Sequence, residues 1–199
     1  MKTLHVNLGE RSYDILIADR LLDRAGEEIK KVCPKARRLF VVTDSNVFPL
    51  YLTRLANSLT AAGFEMTALT VPAGEHSKCA SELTNLWEKM LASGLTRTDA
   101  VVALGGGVVG DLSGFAAATA LRGVDFVQIP TTLLAQVDSS VGGQGGHRPA
   151  RGEEPGRVFL AAQAGPYGSG HPEYSARRHL RRRHGRGHQV RLYPGQRVL

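Results

Sequence analysis

The chain has few cysteines and no long apolar run, and each scarcity excludes a class of protein. Only Cys33 and Cys79 occur among 199 residues, which gives neither a disulfide framework nor the spacing of a metal site and favours a reducing cytoplasm. No stretch approaches the roughly 20 apolar residues that span a bilayer. The N-terminal residues also lack the apolar core of a signal peptide. We therefore expect a cytoplasmic globular protein with no membrane partner.

Acidic residues are scarce in the last part of the chain, and lysine is absent from it. Residues 144–199 contain 11 Arg and 3 Glu, whereas residues 1–143 carry 14 basic and 15 acidic side chains. The net charge of +7 therefore originates in the C-terminal segment. This change of composition predicts a domain over residues 1–143 and an Arg/Gly-rich tail over residues 144–199. The tail shows no apolar periodicity and is expected to be disordered, and to bind nucleic acid only non-specifically, through charge.

Apolar runs alternate with amphipathic helical patterns along residues 1–143. Strands are predicted at 4–8, 13–18, 38–43, 65–71, 100–104 and 126–129, and helices at 20–32, 48–62, 79–93 and 111–120, with a further helix beginning at 133. The first two strands flank Gly9-Glu10-Arg11 and predict a hairpin. The alternation that follows predicts an α/β fold with a doubly wound, mostly parallel, Rossmann-like sheet. Ligands of such sheets bind beyond the carboxyl ends of the strands.

A glycine-rich turn follows the most apolar of these strands. Gly105, Gly107 and Gly110 have the G-x-G-x-x-G spacing and lead into a helix. Glycines let backbone N–H groups approach an anion, and the helix N-terminus adds partial positive charge. The same spacing also occurs where a strand and a helix simply pack closely. In this context the turn favours a dinucleotide or phosphate site.

Four segments together resemble 3-dehydroquinate synthase. They are Pro-Ala-Gly-Glu-His-Ser-Lys at 72–78, Gly-Gly-Gly-Val-Val-Gly-Asp at 105–111, Arg-Gly at 122–123 and Ile-Pro-Thr-Thr-Leu-Leu-Ala-Gln-Val-Asp-Ser-Ser-Val-Gly-Gly at 129–143. Their order and spacing match the N-terminal, NAD-binding half of that family. The resemblance implies a phosphate-eliminating lyase of the shikimate pathway of aromatic amino acid biosynthesis. Such an enzyme converts 3-deoxy-arabino-heptulosonate 7-phosphate, a sugar phosphate, to 3-dehydroquinate and phosphate. It further implies NAD and a divalent metal (zinc or cobalt) as cofactors, and a homodimer.

The resemblance also implies particular site residues. Those for NAD are Asp44, Ala73, Gly74, Glu75, His76, Ser77, Lys78, Gly107, Val108, Val109, Gly110, Asp111, Thr131 and Thr132. Those for catalysis and substrate contact are Lys78, Arg122 and Asp138. Structural alternatives remain open at several of these positions. Asp44 can equally cap the next helix, either threonine can cap the helix beginning at 133, and Arg122 can be a plain surface charge.

The match breaks after residue 143. Gln144 stands where the family has a lysine that contacts cofactor and substrate. Permitted codons for residues 152–158, read one base later, spell Glu-Lys-Asn-Leu-Val-Gly, and codons for residues 183–191 spell Gly-Met-Ala-Glu-Val-Ile-Lys-Tyr in the same frame. Both strings are family motifs, so we expect a single-base frameshift near residues 143–144.

The frameshift would remove the family's metal-ligand glutamate and its helical metal-binding domain from this chain. We therefore expect no metal ligands and no synthase activity. Two other functions remain open, a fragment of an NAD- and metal-dependent polyol dehydrogenase of the glycerol type and a non-enzymatic basic nucleic-acid-binding protein.

Overall fold

The computed structural model describes residues 1–7, 12–139 and 157–162, which form seven strands and four α-helices. The strands are β1 (Lys2–Val6), β2 (Tyr13–Ala18), β3 (Arg38–Asp44), β4 (Glu65–Val71), β5 (Ala100–Gly105), β6 (Asp125–Pro130) and β7 (Arg157–Ala162). The helices are α1 (Ala25–Val32), α2 (Phe48–Ala61), α3 (Ala80–Ala92) and α4 (Gly107–Thr119). Short 3-10 turns cover Leu21–Arg24, Glu75–Ser77 and Ala120–Arg122, and a π-helical turn covers Ala135–Ser139.

All seven strands lie in one sheet, in the order β1-β2-β7-β6-β5-β3-β4. β1 and β2 pair antiparallel, and every other pair is parallel. The predicted doubly wound, mostly parallel α/β fold is confirmed. The turn at residues 9–11, predicted to close the first hairpin, lies outside the described residues. No helix in the described part of the chain is long and apolar enough to cross a membrane.

The apolar strands are buried on both faces because helices cover both sides of the sheet. In β5 every residue is buried, and alternate side chains enter two different cores. On one face, Val102 packs with residues of α1 and α2 such as Leu55. On the other, Val101 packs with α3 and α4 residues such as Met90. A central parallel strand therefore needs a continuous apolar run, which is the pattern that predicted it.

Strand β7 lies beyond the predicted domain boundary at residue 143. Residues 157–162 were assigned to a tail without apolar periodicity, but their backbone pairs in parallel with β2 on one side and with β6 on the other. The signal was the short apolar run Val-Phe-Leu-Ala-Ala at 158–162, which is typical of a strand with neighbours on both edges. Six residues of the predicted tail thus belong to the sheet.

Candidate functional site

The carboxyl edge of the sheet carries the start of helix α4. The structure begins this helix at Gly107, so the segment 107–111, predicted as a turn, forms its first residues. Gly106 is the N-cap residue, and the first intrahelical bond runs from the Gly110 N–H to the Gly106 carbonyl at 3.0 Å. The preceding N–H groups in the first turn have no carbonyl partner within the helix. They point beyond the end of β5, where an anion would also meet the positive end of the helix dipole.

Two glycines of the motif serve packing rather than anion contact. A Cβ on Gly105 would lie 2.6 Å from Cβ of Val109, whose side chain is 1% exposed. A Cβ on Gly110 would collide with Nε2 of Gln128, which is buried on β6. Both glycines therefore allow α4 to lie directly on the sheet. Since the Val109 side chain is enclosed, this residue can meet a ligand only through its N–H group.

The loop at 72–78 is held in shape by its own backbone and by its neighbour. The Ser77 hydroxyl donates to the Pro72 carbonyl at 2.5 Å, and the Ala73 N–H donates to the Ser45 Oγ at 3.2 Å. Gly74 has φ +122°, a conformation that favours glycine. His76 is exposed, with its ring packed beside Gly74. Among the predicted site residues of this loop, Ser77 is buried, and its hydrogen bond to Pro72 stabilises the loop conformation.

Lys78 connects this loop to α4. Its Nζ lies 2.8 Å from Oδ2 of Asp111 and 3.1 Å from Oε1 of Glu75. The hydrogen bond that Lys78 donates to Asp111 is the main cause of a raised pKa at Lys78; partial burial opposes this shift, and the hydrogen bond to Glu75 adds to it. The ammonium therefore stays charged at neutral pH. Three predicted site residues, Lys78, Glu75 and Asp111, form one cluster beside the start of α4.

Thr131 and Thr132 have different hydrogen-bonding roles. The Thr132 Oγ1 accepts the Ala135 N–H at 3.2 Å, so it caps the following helical segment, as one alternative predicted. The Thr131 N–H donates to the Gly105 carbonyl at 2.9 Å, which holds the end of β6 beside the end of β5. Within the described part of the chain, the Thr131 Oγ1 is buried and has no hydrogen-bond partner. A buried hydroxyl without a partner is energetically costly, so its missing hydrogen bond requires an explanation, such as a ligand.

Asp44 accepts backbone hydrogen bonds in the turn before α2, but the N-cap residue of that helix is Val47 and it has no side-chain cap, so the predicted capping alternative is not formed. Its Oδ1 accepts the N–H groups of Asn46 at 2.9 Å and Val47 at 3.0 Å, just before α2. The carboxylate nevertheless lies at the carboxyl end of β3. These two hydrogen bonds engage Oδ1 of Asp44 and are compatible with a ligand contact at Oδ2.

Two predicted residues are not brought into this cluster by the described structure. Arg122 follows α4 and precedes β6, so it lies at the opposite edge of the sheet from the first turn of α4. There Leu121 and Arg122 both have positive φ, and the Leu121 carbonyl accepts a bond from Arg97 Nε at 2.9 Å. Asp138 lies in the π-helical turn after β6, and its side chain is outside the described residues. Gln144 also lies outside them.

Sequence reasoning missed three polar residues at or below this edge. Ser45 accepts the Ala73 N–H, and Gln128 packs under the start of α4. Thr43 pairs with Leu104, and its buried Oγ1, like that of Thr131, has no hydrogen-bond partner among described residues. These residues could have been found from the sequence as polar residues inside or at the end of an apolar strand. Gln128, for example, is the only polar residue in the predicted strand 126–129.

Comparison with known proteins agrees with this geometry. Residues 68–152 match the family model of the 3-dehydroquinate synthase N-terminal domain. The curated 3-dehydroquinate synthase of Rhizobium leguminosarum bv. trifolii is 53% identical over 159 residues, which cover 80% of this chain and 42% of that protein. Over most of its length the chain is therefore similar to the N-terminal part of 3-dehydroquinate synthases. It spans about two fifths of the length of the curated relatives that it matches.

Solved structures of related cyclases share this fold. A 2-deoxy-scyllo-inosose synthase complexed with carbaglucose-6-phosphate, NAD+ and Co2+ superposes with a TM-score of 0.66 at 26% identity, covering 81% of this chain and 46% of that one. ValA, the 2-epi-5-epi-valiolone synthase of Streptomyces hygroscopicus subsp. jinggangensis 5008 with NAD+ and Zn2+ bound, gives 0.63 at 30% identity, covering 79% and 44%. Two structural relatives of the 3-dehydroquinate synthase family therefore hold NAD+ together with a divalent metal.

The described residues offer a fit for NAD but not for the metal. The unpartnered Thr131 hydroxyl, the N–H groups at the start of α4 and the Lys78 ammonium provide donors at one edge of the sheet. By contrast, no group of three or more His, Cys, Asp or Glu side chains in the described ranges could hold a metal ion. No metal-dependent step can therefore be assigned to these residues.

Proposed function

We propose that this chain binds NAD+ at the carboxyl edge of its sheet, as the cofactor-binding part of a 3-dehydroquinate synthase. The observation that carries the proposal is the buried hydroxyl of Thr131, which has no hydrogen-bond partner among the described residues and lies next to the first turn of α4. A general apolar core does not require such a hydroxyl, whereas a polar ligand would provide its missing hydrogen bond. NAD supplies reversible hydride transfer with a substrate alcohol when it is bound.

Each residue group has a distinct role in this proposal. The N–H groups of Gly107, Val108 and Val109 bind the pyrophosphate, because they are unbonded within the helix and lie at its positive end. The Lys78 ammonium, paired with Asp111 and Glu75, adds an N–H donor nearby. Thr131 hydrogen-bonds the nicotinamide side, and the second oxygen of Asp44 accepts from the adenosine ribose. Asp138 is proposed to contact the sugar phosphate substrate, in a cytoplasmic homodimer.

Calorimetric titration of NAD+ into the 199-residue chain tests this proposal. We expect saturable binding of one NAD+ per chain, abolished by prior saturation with NADH, which competes for the same site. Titration of inorganic phosphate is the control for simple anion binding. Absence of saturable heat at millimolar NAD+, with the chain shown to be folded by circular dichroism, would contradict the proposal.

We also propose that the chain as printed does not complete the synthase reaction. The supporting observation is that family motifs can be read out of frame across residues 152–158 and 183–191. Sequencing the gene across codons 140–150 and then restoring the frame tests it. We expect phosphate release from 3-deoxy-arabino-heptulosonate 7-phosphate only with the restored protein. Release by the 199-residue chain would refute the proposal, and net NADH production from glycerol would indicate a polyol dehydrogenase instead.

A further inference from the structure

The Lys78–Asp111 ion pair joins two elements that are far apart in the sequence. Lys78 ends the loop that precedes α3, whereas Asp111 is the fifth residue of α4. Side chains of a helix lean toward its N-terminus, so the Asp111 carboxylate covers the first turn of α4. The 2.8 Å contact therefore places the Lys78 ammonium beside the N–H groups of that turn.

Glu75, the second carboxylate of the cluster, contributes less than Asp111 to holding the Lys78 ammonium in position. Glu75 lies 3.1 Å from Lys78, but its side chain is 75% exposed, against 43% for Asp111 and 33% for Lys78. Solvent screens an exposed pair strongly. Asp111 is therefore the carboxylate that mainly fixes the position of the ammonium, and it is first among the causes of the raised pKa of Lys78.

The Lys78–Asp111 ion pair affects how strongly the start of α4 can attract an anion. A carboxylate over the first turn of a helix would by itself repel a pyrophosphate bound there. With Lys78 in contact, the Asp111 charge is neutralised locally. An ammonium has three N–H donors, and the two carboxylates occupy two of them, so one can reach a ligand.

We propose that Asp111 is a positioning residue, which holds the Lys78 ammonium at the cofactor phosphates without itself binding the cofactor. The inference rests on the proposed binding of NAD+ at the start of α4. It makes a prediction that a direct ligand role for Asp111 does not make. Removing Lys78 leaves an unpaired carboxylate at the anion site, and removing Asp111 as well should then restore part of the lost affinity.

The test is a double-mutant cycle on NAD+ affinity in the full 199-residue chain. The variants are Lys78→Met, Asp111→Asn and the double variant, each titrated with NAD+ by calorimetry at low and high salt. We expect Lys78→Met to weaken binding by about thirtyfold and Asp111→Asn by about threefold. The double variant should bind about threefold to tenfold more tightly than Lys78→Met alone. If the losses of NAD+ affinity in the two single variants multiply, so that the double variant binds most weakly, Asp111 acts as an independent ligand. That result would refute the inference.

A matched ion pair at the other edge of the sheet provides the control. Arg38 Nε lies 3.0 Å from Glu65 Oε2, where β3 and β4 begin. Glu65→Gln removes a carboxylate from this exposed pair and should leave NAD+ affinity within about twofold of the parent chain. If Glu65→Gln weakens NAD+ binding as much as Asp111→Asn does, the effect comes from overall charge. That result would overturn the positioning role of Asp111.

A second readout does not depend on NAD+. If Asp111 anchors Lys78, Asp111→Asn should speed backbone hydrogen exchange in the loop 73–78 by about threefold or more, while Glu65→Gln should leave that loop unchanged. Unchanged exchange in Asp111→Asn would refute the positioning role. If the parent chain binds no NAD+ but the loop responds as expected, the proposed function fails and the anchoring remains supported.

Discussion

At the scale of single residues, neighbouring threonines show how a hydrogen-bond partner decides a role. The Thr132 hydroxyl accepts a helix N–H, whereas the Thr131 hydroxyl is buried without a partner in the described structure. The first stabilises the fold, and the second is available for a ligand. Identical side chains one residue apart therefore respond differently to the same substitution.

Replacement by valine separates these two roles. Thr131→Val should weaken NAD+ binding by about threefold to tenfold, because one ligand hydrogen bond is lost. It should leave the free energy of unfolding nearly unchanged, since the lost hydroxyl was unsatisfied. Thr132→Val should instead cost about 1 kcal/mol of stability through the lost cap. Urea denaturation and NAD+ titration of both variants measure the contrast, and a reversed pattern would contradict it.

Asp99 makes the stability of the fold sensitive to acid. Its Oδ1 accepts the N–H groups of Arg37 and Arg38, and its Oδ2 accepts the N–H and hydroxyl of Thr96. Burial by itself would raise the pKa of Asp99, but these donors outweigh it and hold the pKa below its ordinary value. The charged carboxylate therefore stabilises the amino edge of the sheet, where β3 and β5 begin.

The pH dependence follows from the sign of this shift. Because the folded pKa is depressed, the stabilisation is present above the unfolded value of about 3.9 and is lost as the pH falls through the folded pKa. Asp99→Asn should lower the free energy of unfolding at neutral pH by about 1–3 kcal/mol and flatten its decline in acid. The exposed Glu88→Gln on α3 is the control. If the free energy of unfolding of the Asp99→Asn chain declines in acid as steeply as that of the parent, Asp99 is not the source of the acid sensitivity.

At the scale of secondary structure, the junction of β5 and α4 sets the geometry of the candidate site. The strand and the helix are separated by Gly106 alone, so the first turn of α4 sits directly at the strand end. The close approach depends on Gly105, whose missing Cβ makes room for Val109. The position of the anion-binding N–H groups therefore depends on packing beneath them.

Alanine substitutions along this segment test that dependence. Gly105→Ala would force its Cβ against a buried, β-branched side chain and should cost about 1–3 kcal/mol of stability, with weaker NAD+ binding. Gly114→Ala in the middle of α4 is the matched control, because its Cβ would lie 3.4 Å from Phe126 in ordinary contact. That control should be neutral or stabilising by up to about 1 kcal/mol. Thermal unfolding and calorimetry provide the measurements, and equal effects at both sites would contradict the packing argument.

At the scale of the whole molecule, β7 joins two parts of the sheet. In the strand order, β1 and β2 reach the parallel core only through β7, which pairs with β2 and β6. Without it, two strand edges would present unpaired N–H and carbonyl groups. Six residues from the predicted tail are therefore part of the fold.

Two truncations distinguish the strand from the rest of the tail. A chain ending at residue 143 lacks β7 and should aggregate or unfold at a lower temperature, because the edges of β2 and β6 become exposed. A chain ending at residue 162 keeps β7 while losing eight of the tail's arginines, and should retain the thermal stability of the parent. Light scattering and thermal unfolding distinguish the outcomes. Equal stability of both truncations would show that β7 does not stabilise the sheet.

Much of the fold was predictable because apolar runs and helical periodicity report burial directly. The strands 13–18 and 65–71 were predicted with the bounds that the structure has, whereas α2 differs by one residue at its C-terminal end and α3 by one residue at each end. The start of α4 was predicted four residues late, because glycine usually indicates a turn. In α4 the helix geometry is supported by contact with the sheet, which intrinsic propensity does not report.

The amino-acid sequence alone determined the alternation of strands and helices and the resemblance to 3-dehydroquinate synthase, and it predicted the edge of the sheet for a ligand. The tertiary structure decided which of the predicted residues act together. It joined Lys78 to Asp111, left the Thr131 hydroxyl without a partner, used Thr132 as a cap and placed Arg122 at the opposite edge. The physical reason is that burial follows the local periodicity of the chain, whereas a hydrogen bond or an ion pair depends on distances between segments that only the packed sheet and helices bring together.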